Sequence, residues 1–144
     1  MRTVVVASDA PSVRAEVTAV LADPETEIVE VRSGPEVAEA VAEHDPDLVV
    51  VDLQMDSMGG VAVCLELDLE ASYGNLPSVP VLMLVDRRAD VFLARRANAK
   101  GWIVKPLDPI RIRRGAQALL DGGRFHDESF QPVPVLSAPP AAGS

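Results

Sequence analysis

The chain has one cysteine, Cys64, so no disulfide can form within it. A reducing compartment is the natural expectation. A lone cysteine in an apolar helical stretch reads as a small core side chain. No apolar run approaches the roughly 18 residues that cross a bilayer. The opening MRTVVVASD is too short in its apolar part for the core of a signal peptide, and it reads as a first strand. No internal repeat is visible. These absences leave a globule expected to be soluble and cytoplasmic.

Positive charge is also scarce, with 13 Lys and Arg against 22 Asp and Glu and a net charge of −9. The scarcity is uneven. Residues 1–85 hold three arginines against sixteen acids, a net −13, whereas residues 86–124 hold ten basic residues against four acids, a net +6. The last third is a basic region on an acidic body, which bears on partners rather than on fold.

What is present alternates regularly along 144 residues that are 48% apolar. TVVVAS (3–8), LVVVD (48–52), VPVLMLV (79–85) and GWIVK (101–105) have the β-branched character of buried parallel strands. EIVEV (27–31) alternates and suits an edge strand. Between these lie helical patterns. Pro11 precedes Val13, Val17, Val20 and Leu21; Pro35 opens a helix with Val37 and Val41; Val61, Leu65 and Leu69 stand four apart. RRADVFLARRANAKG predicts a fourth helix stopped by Gly101. Asp108 and Pro109 open a fifth, with Ile112, Ala116, Leu119 and Leu120 as its buried stripe and Gly122 and Gly123 as its stop. Five strands alternating with five helices predict a doubly wound α/β fold with a parallel sheet. The expected domain covers residues 1–123, and 124–144 forms a flexible Pro/Ala-rich tail.

In such a sheet, ligands bind beyond the carboxyl ends of the strands. Three strands end there in polar residues: Ser8 and Asp9, Asp52, and Lys105. Singly, each is ordinarily a solvated loop residue or a helix cap. Together, two carboxylates and an ammonium suggest a cation beside a phosphoryl group. Hard oxygen ligands suit Mg²⁺, which keeps several waters and takes one or two carboxylates. A carboxylate can attack phosphorus and form an aspartyl phosphate, with a lysine and a metal neutralising charge on the transferring group.

This arrangement, with its Lys-Pro pair, resembles the receiver domain of two-component response regulators, the CheY-like members of the flavodoxin-like folds. The likeness covers roughly residues 2–121. It implies the strand order 2-1-3-4-5, Asp52 as phosphoacceptor, Asp9 as a Mg²⁺ ligand, and Lys105 as the contact to the phosphoryl oxygens. It further implies a cis Lys105–Pro106 bond and a metal site completed by the backbone carbonyl of Gln54. DLQMDSMGG is similar to the family's Asp-x-x-Met-Pro-x-Met-x-Gly loop, with Asp56 in place of proline. Val85 and Trp102 fall at the family's switch positions. The expected activity is stoichiometric phosphoacceptance, with self-phosphorylation and self-dephosphorylation at most, rather than enzymatic turnover. The expected donor is a histidine kinase or phosphotransfer protein.

Three residues depart from the pattern. Ser8 replaces a second acid, Val85 replaces a Thr or Ser, and Asp86 replaces a small residue. The valine keeps the shape and loses the hydroxyl donor. One expectation is therefore a stand-alone receiver phosphorylated on Asp52. The alternative is a pseudo-receiver that works without phosphate, through its fourth and fifth helices. There Arg87, Arg88, Arg95, Arg96, Arg111, Arg113 and Arg114 crowd a face suited to a homodimer or a target protein. A phosphatase of the haloacid dehalogenase type would need a second Asp two residues after the nucleophile, and position 54 is Gln. Direct DNA binding is disfavoured by the acidic total charge and the lack of a helix-turn-helix.

Overall fold

A computed structural model describes residues 1–128. The chain runs β1 (Arg2–Ala7), α1 (Pro11–Leu21), β2 (Thr26–Val31), α2 (Pro35–His44), β3 (Leu48–Asp52), α3 (Gly60–Ser72), β4 (Val81–Val85), a 3₁₀ turn (Arg88–Asp90), α4 (Val91–Arg96), β5 (Gly101–Val104), α5 (Pro109–Leu120) and β6 (Phe125–His126). The strands form one parallel sheet in the order β2-β1-β3-β4-β5-β6.

The valine runs are explained by two cores, one on each side of this sheet. Alternate strand residues face opposite ways. Val5, Val49, Val51, Met83 and Trp102 join the layer under α2, α3 and α4, while Val4, Val6, Leu48, Val50 and Leu84 join the layer under α1 and α5. Every residue of β3 is buried, including Asp52 at its end. Pro11, Pro35 and Pro109 open their helices as the sequence predicts, and the Asp108 side chain accepts from the backbone N–H of Arg111 at 2.9 Å. That bond foremost, and then the Arg111 side chain, hold the Asp108 carboxyl below its ordinary pKa.

Three elements differ from expectation. In α3 the buried face is Val63, Cys64 and Leu67, while Leu65 and Leu69 are about half exposed, at 51% each. The helix is apolar nearly all round, so a spacing of four cannot choose its inward side. The fourth helix is shorter than predicted. It begins after the 3₁₀ turn and ends at Arg96, with Asn98 in the left-handed region at φ 66° supplying the stop. Lastly, the sheet gains a sixth strand from residues assigned to the tail. Phe125 packs on α5, where a Cβ at Gly115 would stand 3.2 Å from its ring, and Asp127 is buried. Residues 124–128 thus complete the fold, and the remaining residues assigned to the tail, 129–144, lie outside the described ones.

Candidate functional site

The carboxyl edge of the sheet collects the polar strand ends. Asp52 is 2% exposed, and both of its oxygens are engaged. Lys105 donates to Oδ1 at 2.9 Å, and the Ser8 hydroxyl donates to Oδ2 at 2.9 Å. Ser8 in turn accepts from the Ala10 amide at 3.1 Å, and its backbone carbonyl accepts from Arg14 at 2.6 Å. Arg14 also meets Glu30 at 3.3 Å. Strands β1, β3 and the segment after β5 are therefore tied together at one point.

Lys105 has a second partner. Its Nζ donates to Asp86 Oδ1, also at 2.9 Å. Burial is the largest single influence on this ammonium and pulls its pKa down. The hydrogen bonds and charges of Asp52 and Asp86 together outweigh burial and hold the pKa above the ordinary lysine value. The extra acid that would repel a phosphoryl group is thus met by a cation. The Lys105–Pro106 bond is cis.

Asp9 lies on the same rim but touches neither Asp52 nor Lys105. Its Oδ2 accepts from the backbone N–H of Asp56 at 2.9 Å, which pins the 53–59 loop across the edge. Two glycines seat that loop. A Cβ at Gly60 would stand 2.8 Å from the Asp52 carbonyl oxygen, and one at Gly59 would stand 2.7 Å from that of Leu53. Only glycine lets α3 start this close to the strand end. Among the described residues, the Gln54 carbonyl accepts no hydrogen bond.

The donors around Asp52 are all hard oxygens, as Mg²⁺ requires. Asp9, Asp52 and the Gln54 carbonyl would hold such an ion with its waters. Ser8 is spent on Asp52 in place of a third carboxylate, and among the described residues no three acids, histidines or cysteines cluster as a ready metal site. The donor set fits a weakly held, mostly hydrated Mg²⁺.

The switch positions are packed. Val85 is fully buried at the end of β4, and its carbonyl accepts from the Lys105 amide at 2.8 Å. Trp102 is 2% exposed and stacks on His126 of the neighbouring strand, with centroids 4.2 Å apart, while Arg95 sits 5.1 Å from its ring centre. The seven arginines do not share one role. Arg87 pairs with Asp90 at 3.0 Å, and Arg88 donates to the Asp127 carbonyl at 2.6 Å. Arg111 reaches Asp108 at 2.6 Å, Val104 O at 2.8 Å, Pro106 O and the Asp127 carboxylate. Arg113 borders a cleft with Arg2 and Gln117, on the side of the sheet that carries α1. Arg95, Arg96 and Arg114 are exposed.

Sequence reasoning missed Arg14, Arg111 as an anchor, and Asp127. Arg14 and Asp127 carry no periodic or motif signal, and their roles arise only once the strands are aligned. The largest cavity described, about 520 Å³, opens at the opposite end of the sheet by Asp47, Val81 and Lys100. Cys64 borders it, but burial, aided by Asp68, pushes the thiol pKa up to about 12 and keeps it protonated.

The sequence matches the family described as the response regulator receiver domain over residues 4–117. It is 31% identical over 136 residues to the DNA-binding response regulator MtrA of Mycolicibacterium smegmatis, covering 93% of this chain and 55% of that protein. The chain thus spans about half the length of that relative. Protein PilH of Pseudomonas aeruginosa is 21% identical over 122 residues, covering 85% of this chain and all of PilH. In fold, the chemotaxis response regulator CheY4 of Vibrio cholerae superposes with a TM-score of 0.72 at 24% identity, covering 83% of this chain and 98% of that one. The chain belongs to the receiver domains of two-component response regulators.

Proposed function

We propose that Asp52 accepts a phosphoryl group from a histidine kinase or phosphotransfer protein in the cytoplasm. The observation that carries this reading is the 2.9 Å contact between Lys105 Nζ and Asp52 Oδ1, made between the ends of two different strands over an otherwise apolar core. An Asp52 oxygen attacks phosphorus, the bond from phosphorus to the donor's nitrogen or oxygen breaks, and the electron pair leaves with the donor. Lys105 has three N–H donors, and two are used by Asp52 and Asp86. The third remains for a phosphoryl oxygen. Ser8 can turn its hydroxyl from Asp52 to the same group. Mg²⁺, held by Asp9, Asp52 and the Gln54 carbonyl, would supply further neutralisation of charge as phosphorus transfers. Water attack on the acyl phosphate later returns the free carboxylate and inorganic phosphate, so the protein resets without acting on a separate substrate.

Val85 offers no hydroxyl to tie a phosphoryl oxygen to Trp102, and Trp102 is clamped between strand and helix. Signal transfer to α4 and α5 would therefore run through Lys105 and Asp86, which adjoins the 3₁₀ turn before α4.

The test is incubation with acetyl phosphate and Mg²⁺, followed by intact-mass measurement. The expected result is a single added phosphoryl group that Asp52→Ala abolishes. Failure to label wild-type protein with any donor, together with partner binding unchanged in Asp52→Ala, would replace this reading with a phosphate-independent interaction module.

A further inference from the structure

Strand β6 does more than extend the sheet. It walls off a cleft of about 260 Å³ lined by Arg95, Asn98, Ala99, Trp102, Arg124 and His126. The lining has two guanidinium groups and an imidazole, and no carboxylate. Arg124 has no hydrogen-bond or ion-pair partner among the described residues, and Arg95 contacts only the Trp102 ring there. The ring nitrogens of His126 likewise have no hydrogen-bond partner among those residues. Trp102 Nε1 is buried with no hydrogen-bond partner among the described residues, in a residue that is 2% exposed. A buried, unsatisfied indole N–H is a costly feature unless a ligand or water meets it.

No acid lines the cleft, and Glu128, two residues beyond His126, is exposed outside its lining. Asp127 is directed at the Val104 amide and Arg111, and Asp68, outside the lining, accepts from Asn98 at 3.4 Å. Nor can the rest of the chain fill the cleft with a side-chain anion, because residues 129–144 contain no Asp or Glu. On a protein with a net charge of −9, a pocket of donors without an acid is an exception to the general field.

We propose that this cleft binds a small oxyanion, the phosphate or carboxylate group of a soluble metabolite. Arg95 and Arg124 supply charge-assisted hydrogen bonds, and the His126 ring supplies a further donor. Guanidinium groups suit this task because their planar forks match two oxygens at once. The site lies on the face of β5 and β6, apart from Asp52, and its occupancy does not require phosphorylation.

Trp102 is the only tryptophan, so its emission reports the cleft directly. Inorganic phosphate, pyrophosphate and citrate would each be titrated at constant ionic strength. EDTA would be present to disable the Asp52 pocket, and calorimetry would run in parallel. The expected result is saturable binding of at least one probe, whose identity distinguishes phosphate from carboxylate ligands. Arg95→Ala and Arg124→Ala should each weaken it by about tenfold or more, the scale of one lost charged hydrogen bond. Arg96→Ala, on the same helix but outside the cleft, should change it less than about twofold. All three positions are exposed and tolerate alanine without loss of fold. A response that saturates for none of the probes, or an equal loss in Arg96→Ala, would overturn the proposal. The latter would mean that diffuse positive charge, rather than a built site, attracts the anion.

Discussion

Two carboxylates in this protein are buried to nearly the same degree, Asp52 at 2% and Asp127 at 3% exposure, yet they are held by different kinds of partner. Asp127 meets the Arg111 guanidinium and the Val104 amide, the latter at 2.9 Å, while its own carbonyl takes Arg88. A strand amide cannot turn away. A guanidinium that also spans Asp108, Val104 O and Pro106 O has no freedom to leave. Asp52 meets a hydroxyl that rotates and an ammonium that is a flexible point charge with a donor to spare. Under the proposed function, burial alone does not separate a structural acid from a phosphoacceptor. The mobility of its partners does.

That contrast has a measurable form. Asp127→Ala would leave the buried Val104 amide unsatisfied and take one carboxylate from Arg111, which keeps Asp108, and the expected loss is about 3 kcal/mol in urea unfolding. Asp52→Ala should cost only about 1–2 kcal/mol, because Lys105 keeps Asp86 and the Ser8 oxygen keeps the Ala10 amide. Equal losses in the two variants would break the distinction. A still smaller effect concerns rate. Asp86→Ala removes a half-exposed negative charge that faces an incoming phosphoryl group and shares its lysine. Uptake from acetyl phosphate should quicken by about fivefold, the worth of roughly 1 kcal/mol at such a distance near a surface. Slower uptake would show that Asp86 positions Lys105 instead of competing for it.

The same contrast explains what could be read in advance. Strand runs such as LVVVD and proline-opened helices announce themselves because local periodicity and backbone chemistry dictate them. Asp52 and Lys105 were legible as strand-end polar residues, since the fold leaves such positions only one rim to occupy. Asp86 was visible as a departure, but its pairing with Lys105 depends on side-chain reach across two strand ends. Strand β6 left no trace in the pattern. Two residues are too few to show a period, and its anchor is a long-range ion pair between Asp127 and Arg111. The inward side of α3 was illegible for the opposite reason, an excess of apolar residues rather than too few.

The smallest effect tests the lysine itself. Lys105 has a pKa above the ordinary value because two carboxylates favour its charged form against burial. A group raised on folding contributes its stability fully below the unfolded pKa, about 10.4 for lysine, and loses it as pH climbs through the folded value. Urea midpoints of wild type and Lys105→Met, compared from about pH 7 upward, should therefore differ by a constant amount until near pH 10.4 and then converge. Subtracting the variant removes the titration of the other lysine and of the tyrosine. A wild-type stability that instead rises relative to Lys105→Met between about pH 7 and 9 would mean that burial wins over Asp52 and Asp86. The lysine would then be poised to lose its proton near neutrality, and it could not serve as a permanent charge beside the phosphoryl group.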